Sequence, residues 1–160
     1  MLKKIPAVCI MGILLVFSVE ATMVSFMVIE TGVQEERRNQ SSDHWENGLL
    51  DVFFDAGYIV SNFPMMRFDI ATPEYIQMMI TDDIEDAKDG GSEYFIMVQL
   101  DYSSGEKTPG EISLILYRIN PYNKMYERQI PGKTYRTDRD EINDVRNIVT
   151  GLVSQLRIGR

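Results

Sequence analysis

Cysteine and histidine are scarce in this chain of 160 residues, which contains one of each, Cys9 and His44. A disulfide within the chain needs two cysteines, and a zinc site of cysteines and histidines needs several ligands, so neither can form. The serines lack the Gly-x-Ser-x-Gly context of a hydrolase nucleophile, and a catalytic triad would depend on His44 alone. We therefore expect no enzyme activity, no catalytic residues, no metal site and no cofactor.

Positive charge is scarce as well. Lysine and arginine number 16 against 24 aspartate and glutamate residues, which gives a net charge of -8. Binding to nucleic acid or to an anionic membrane surface depends on clustered basic side chains. The acidic balance therefore argues against nucleic acid as a partner.

The N-terminus has the pattern of a secretory signal peptide over residues 1–21. Two lysines precede an apolar run over residues 5–19, and Ala21 stands where signal peptidase would cut. Cys9 lies inside the apolar run rather than at its end, where a lipid would be attached. We predict cleavage, a single domain over residues 22–160, and a periplasmic or secreted location.

Retention of the N-terminus as a membrane anchor is the alternative. Apolar residues resume at Met23 and continue to Ile29, so that Glu20 interrupts a long hydrophobic stretch. A spanning helix needs about 20 apolar residues, and the run over residues 5–19 is too short alone. Its extension would bury Glu20 in hydrocarbon, at a cost of roughly 3 kcal/mol. We expect membrane contact only if this segment stays uncleaved.

Hydrophobic periodicity predicts the order β-α-β-α-β-β-β-α. The predicted strands are residues 24–29, 58–61, 94–102, 112–119 and 125–130, and the predicted helices begin near Ser42, at Pro73 and near Asp138. Strands separated by helices imply crossover connections, whereas the last strands form a meander. The predicted fold class is α/β (α+β), with a single mixed β-sheet and three helices packed mainly on one face.

The predicted helices carry recognisable end signals. Ser41 or Ser42 can cap the first helix, and Thr72 can cap the second. Asp138 and Glu141 have capping-box spacing before the last helix. Glycines follow the first two helices, where they favour termination.

Two motifs resemble those of a known group. In the first motif, a helix leads into Asp55-Ala56-Gly57-Tyr58-Ile59-Val60. In the second, residues 87–98, a helix ends in a turn that contains Gly90 and Gly91 and leads into a long strand. Together with the opening strand they resemble the periplasmic α/β domain of the curli-secretion lipoprotein, the TolB N-terminal domain and the penicillin-binding-protein activators. The resemblance covers residues 23–156. It implies a non-enzymatic envelope protein that binds another envelope component, although the lipid-anchoring cysteine of many members is missing here.

An acidic run is the densest charge cluster. It comprises Asp82, Asp83, Glu85, Asp86 and Asp89. Carboxylates near a helix C-terminus oppose the helix dipole and could attract a cation, but their spacing does not match a calcium loop. We expect a solvated helix face.

Two segments are candidates for a partner-binding surface. Phe63, Met65 and Met66 place large apolar side chains in the predicted connection 62–71, where they either fold onto the core or anchor a partner. In the strand 112–119, one side carries Ile115, Tyr117 and Ile119. If the helices cover one sheet face, this second row needs a cover from a loop, another subunit or a partner protein.

These observations favour a non-catalytic protein-interaction or assembly module of the cell envelope, whose partner is an envelope protein or a second copy of the chain. The alternative is a protein that binds a small ligand or an envelope polymer. Its stacking surfaces would be Tyr58, Tyr94, Tyr102, Tyr117, Tyr122 and Tyr126.

Overall fold

The computed structural model describes residues 21–33, 39–103 and 107–158, so the predicted signal peptide lies almost wholly outside the described residues. In chain order the elements are β1 (Met23–Thr31), α1 (Gln40–Asp55), β2 (Ile59–Asn62), β3 (Met66–Phe68), α2 (Pro73–Met79), α3 (Thr81–Asp89), β4 (Tyr94–Asp101), β5 (Glu111–Arg118), β6 (Asn123–Pro131) and α4 (Asp138–Ile158). Within these ranges, no helix has both the length and the apolar content that a bilayer crossing requires.

A single mixed sheet runs in the order β2-β1-β4-β5-β6, and β3 pairs with β1 beyond the end of β2. β1 is parallel to β2, β3 and β4, whereas β4, β5 and β6 form an antiparallel meander. The fold class and the order of elements predicted from the sequence are confirmed. β3 is an addition, because the connection 62–71 was expected to lack a strand.

Helices lie on both faces of the sheet, and chain direction explains why. The chain moves from β1 to β2 through α1, and then back past β1 to β4 through α2 and α3. Crossovers between parallel strands are right-handed, so two crossovers that move in opposite directions place their helices on opposite faces. α1 and α4, which correspond to two of the three predicted helices, lie on one face of the sheet. The third predicted helix, observed as α2 and α3, covers part of the other face.

The first face carries the larger core. Trp45 and Leu49 of α1 and Val149 of α4 pack over Phe26 and Ile96 of the central strands. These side chains are almost fully buried. Full burial of one such side chain contributes roughly 1.5–3 kcal/mol, so this layer fixes α1 and α4 to the sheet.

The second core lies beneath α2 and α3. Ile76, Ile80 and Ile84 contact the opposite faces of β1, β4 and β5. The predicted single helix is divided at Ile80, whose backbone (φ -83°, ψ -4°) departs from ideal helix geometry and whose side chain is fully buried. Thr72 caps α2 as predicted, since its hydroxyl accepts from the Tyr75 amide at 3.3 Å.

Two helix starts differ from the predictions. α1 follows Asn39, so Ser41 and Ser42 lie inside the helix and are buried. At α4 the hydroxyl of Thr137, rather than Asp138, accepts from the Asp140 amide at 3.2 Å and donates to the Asp140 carboxylate at 2.8 Å. The N-cap of α4 is therefore one residue earlier than predicted.

Candidate functional site

Strands β4, β5 and β6 extend past α2, and this leaves a groove of about 650 Å³ on the second face of the sheet. We call it the sheet-face groove. Met97, Ile115 and Tyr117 form its apolar floor, and residues of α2 form one wall. The described residues of β6 take no part in the second core beneath α2 and α3, so the groove lies where these helices leave the sheet uncovered.

Two stacked tyrosine rings and the side-chain amide of a glutamine form hydrogen bonds at one end of the groove. Tyr117 and Tyr122 stack with ring centres 5.5 Å apart and planes inclined by 10°. The Tyr117 hydroxyl donates to Oε1 of Gln77 at 3.1 Å, and Nε2 of the same amide donates to the Tyr122 hydroxyl at 3.2 Å. Burial, Tyr122 and Glu127 raise the pKa of Tyr117 to about 12. Tyr117 is therefore a neutral, fixed part of the floor at neutral pH.

The polar rim of the groove is acidic. Four carboxylates, those of Glu74, Asp101, Glu111 and Glu127, line it together with one lysine, Lys124. Lys124 forms an ion pair with Glu127. The three other carboxylates have no cationic partner among the described residues, so the groove has a net negative charge.

Two of these carboxylates face each other directly. Asp101 of β4 and Glu111 of β5 are register partners, and both line the groove. Like charges at opposite positions of neighbouring strands are destabilising. Asp101 accepts from the Ser103 amide at 2.9 Å, which offsets part of this repulsion. Glu111 is exposed.

The outer side of α2 is apolar and exposed. Tyr75, Met78 and Met79 expose 43%, 61% and 39% of their surface, and Ile70 just before the helix exposes 88%. The spacing of three and four places the three helical residues on one side of α2. We call these three residues the α2 ridge. Single exposed apolar residues are ordinary, whereas a cluster of three on one side of a short helix makes a candidate interaction surface.

A charged network lies at the carboxyl end of β1. Glu30 is fully buried, and Nε of Arg67 in β3 donates to its carboxylate at 2.6 Å. The other carboxylate oxygen accepts from the Asn39 amide at 3.1 Å and from the Ser42 hydroxyl at 2.5 Å. Glu30 therefore takes the place of a side-chain cap at the N-terminus of α1, where negative charge is favourable.

Tyr102 extends this network. Its hydroxyl lies 3.0 Å from that of Ser42. Burial and the nearby Glu30 carboxylate hold the pKa of Tyr102 well above its usual value. Sequence reasoning missed Glu30 and Arg67 because Glu30 was interpreted as the start of a loop. A charged residue directly after four consecutive apolar strand residues was the available signal.

His44 pairs with Glu141 across α1 and α4, with 2.8 Å between Nδ1 and Oε2. Both side chains are largely buried. The pair connects two helices that pack together on the first face. Within the described ranges, no cluster of three or more histidine, cysteine and acidic residues could hold a metal ion.

The residues predicted for partner binding fall into two groups. Phe63 and Met66 are half-buried against the second core, where the Phe63 ring lies 5.7 Å from that of Phe95, and Met65 packs against the first core. The predicted connection therefore folds back onto the sheet.

The second group lines two neighbouring cavities on the second face of the sheet. Ile115 and Tyr117 belong to the floor of the sheet-face groove, and Ile119 lines a smaller neighbouring cavity. All three are largely buried. Their role in partner binding stays a prediction.

The tyrosines predicted as stacking surfaces are mostly inside the protein. Tyr58, Tyr94, Tyr102 and Tyr117 are buried, because alternate positions of strands and turns direct them into the cores. Tyr126 is half-buried against the first core. Among the six, Tyr122 offers an exposed ring, so the expectation of an extended aromatic surface was wrong.

The acidic run lies on the outer side of α3. Its members are exposed apart from the half-buried Asp83, whose pKa is raised by burial and by the neighbouring Asp86 and Asp82. Glu85 pairs with Lys88 at 3.3 Å. This arrangement matches the expected solvated helix face.

Comparison with known proteins identifies the family of the chain. A family model described as "uncharacterised protein" matches residues 23–114, and the chain belongs to that family. No curated protein matches the chain.

The chain is similar in structure to the PelC dodecamer from Paraburkholderia phytofirmans, with 12% identity, 85% of this chain and 87% of that chain covered, and a TM-score of 0.51. It is also similar to TolB from Acinetobacter baumannii, with 15% identity, 88% and 29% coverage, and a TM-score of 0.49. These similarities concern the fold alone. The relationship to the periplasmic domain family that the sequence resembles stays a prediction.

Proposed function

We propose that this protein is a non-catalytic interaction or assembly module of the cell envelope, working in the periplasm or after secretion. The α2 ridge is the observation that carries the proposal. Tyr75, Met78 and Met79 present apolar surface to solvent, while Ile76 on the other side of the same helix is buried in the second core. Exposed tyrosine is enriched at protein interfaces, and methionine adapts to irregular partner surfaces.

The envelope location is supported by the sequence rather than by the ridge. The signal-peptide pattern over residues 1–21 predicts export, and the resemblance to periplasmic domains agrees with it. PelC, which shares the fold, forms a dodecamer. Self-association is therefore one of the two partner classes that we consider, beside a different envelope protein.

Site-specific photocrosslinking in the native host tests the proposal. A photoreactive phenylalanine analogue replaces Met78, and the matched control carries it at Thr150, an exposed position on α4. We expect a discrete crosslinked species from position 78, absent at position 150 and lost when Tyr75 and Met79 are changed to serine. Mass spectrometry then distinguishes a second copy from another protein.

The result that would overturn the proposal is equally defined. If position 78 gives no species beyond those of position 150, and light scattering of the purified chain shows a monomer at all concentrations, the ridge is not an interface.

Binding of a small ligand or an envelope polymer is the second candidate, and the volume of the sheet-face groove favours it. A cleft of about 650 Å³ has the size of a small-molecule site. Tyr122, which stacks on the floor residue Tyr117 and lines the smaller neighbouring cavity, is exposed beside it. A thermal-shift screen of envelope saccharides tests this candidate, because a ligand that binds the folded state raises the melting temperature.

A further inference from the structure

We infer that the sheet-face groove, together with the free edge of β6, receives an extended segment of a partner protein that carries basic side chains. The segment adds as a strand to β6, and a basic side chain reaches into the groove toward Glu111 and Asp101. This inference rests on the proposed function, since it takes the partner to be a protein. It concerns a surface distinct from the α2 ridge.

The first argument is the edge itself. β6 is the last strand of the sheet, and among the described residues it pairs with β5 alone. It spans nine residues, Asn123–Pro131, most of them exposed. An edge strand presents unpaired amide and carbonyl groups along its outer side, and an extended peptide can satisfy them.

The second argument is the shape beside that edge. β6 contributes Lys124, Glu127 and Gln129 to the groove, so the groove opens directly next to the free edge. Side chains of an added strand alternate between the two faces, and those on the groove side extend over β6. The apolar floor of Met97 and Ile115 suits the aliphatic stem of a lysine or arginine.

The third argument is charge. Glu111 of β5 is the register partner of Pro131 at one end of β6. On the other side of β5, the register partner of Glu111 is Asp101 of β4. An added strand would lie about 10 Å from β5, which two long side chains can bridge. A basic side chain at this end would relieve the repulsion between Asp101 and Glu111.

The other end of the β6 edge favours a different kind of side chain in the added segment. Lys124 sits there and already pairs with Glu127. A second cation beside Lys124 would be repelled, whereas a neutral residue would not. The charge pattern therefore selects a segment that is basic near Pro131 and neutral near Lys124, and it disfavours an acidic segment along the whole groove.

The probe for the experiment is a nine-residue acetylated peptide amide of threonine with lysine at alternate positions of one half only, made with the basic half at either end so that both strand directions are tested; peptides with glutamate in place of lysine are the controls. All are titrated into the ¹⁵N-labelled full chain at low salt. We expect a lysine peptide to shift the amide signals of β6 and of the groove residues, and to slow hydrogen exchange along β6. The glutamate peptides should leave these signals unchanged.

Two sets of variants separate charge from strand addition. Changing Glu111 to glutamine should weaken lysine-peptide binding by about fivefold, as expected for one exposed ion pair, while Asp89→Asn on α3 makes the same charge change without effect. Peptides N-methylated at alternate residues test the backbone. Methylation of the N–H groups that face β6 should abolish binding, whereas methylation of the alternate N–H groups, which face away from β6, should not.

Several outcomes would overturn the inference. Equal shifts from the lysine and glutamate peptides, equal tolerance of the two methylation patterns, or lysine-peptide shifts confined to α2 would each exclude strand addition at β6. So would the absence of any shift at millimolar lysine peptide. Crosslinking from position 78 is measured separately, so the failure of this inference and that of the proposed function can be told apart.

Discussion

Gly48 of α1 and Val145 of α4 are in such close contact that a Cβ atom on the glycine would lie 2.6 Å from Cγ1 of the valine. Val145 is itself almost fully buried in the first core. The distance between the two helices is therefore set by the absence of a side chain at position 48.

Replacing Gly48 with alanine should destabilise the protein, although alanine favours helix more than glycine does. We expect a loss of about 1–3 kcal/mol, because an added methyl group in a packed interface forces neighbouring side chains to move. Urea unfolding followed by circular dichroism measures it.

The control is a second helical glycine, Gly151 of α4, where an added methyl group would have no neighbouring atom within 4 Å. Its change to alanine should stabilise by roughly 0.5–1 kcal/mol through helix propensity alone. Equal effects at the two positions would refute the close contact.

Breaking the Glu30 network should also reduce stability. Glu30→Gln leaves Arg67 facing a neutral amide and weakens the hydrogen bonds at the start of α1. We expect a loss of about 2–3 kcal/mol, below the range for fully buried pairs because Arg67 is 25% exposed. A double-mutant cycle with Arg67→Met measures the coupling energy, and a value near zero would contradict the geometry.

Asp144 provides a pH-dependent prediction. Hydrogen bonds from Lys133 at 2.7 Å and Tyr135 at 2.8 Å hold the pKa of its carboxyl below the usual value, against the opposing effect of burial. A lowered folded-state pKa contributes stability above the unfolded-state pKa of about 4, and this contribution is lost as pH falls through the folded value.

Asp144→Asn should therefore cost less than about 1 kcal/mol at pH 7, since the ion pair is largely solvated, and a smaller amount at about pH 3. Chemical denaturation at both pH values gives the two differences. A cost that grew on acidification would show that the charge of Asp144 does not stabilise the fold.

The α2 ridge should contribute little to folding. Met78→Ser removes an exposed side chain, so its effect on unfolding free energy should stay within about 0.5 kcal/mol. Ile76→Ser on the buried side of the same helix should destabilise by several times as much. If Met78→Ser is as costly as Ile76→Ser, the ridge is part of the core.

The order of strands and helices could be predicted because each long element has a clear period. Val24 to Ile29 is apolar except for Ser25, as expected for a strand between two parallel neighbours, and the helices carry apolar residues at spacings of three and four. The positions of Thr72 and Gly57 were also sufficient to locate helix ends.

The missed features depend on contacts between distant residues. Glu30 and Arg67 are 37 positions apart, and no local pattern joins them. β3 has three residues, too few to show alternation. The open groove was foreseen only as an uncovered apolar row, since its shape depends on how far α2 extends over the sheet.

The two edges of the sheet differ in how many strands form them. The outer side of β1 is divided between β2, with four residues, and β3, with three, whereas β6 is a single strand of nine residues with one register irregularity at Met125. Growth of a fibril by strand addition needs a continuous ladder at both ends of the stacking unit. Because the β2/β3 edge is interrupted, the β6 edge of one copy finds no continuous ladder at the opposite edge of another copy. The two edges of this fold therefore disfavour the stacking of whole sheets into a fibril.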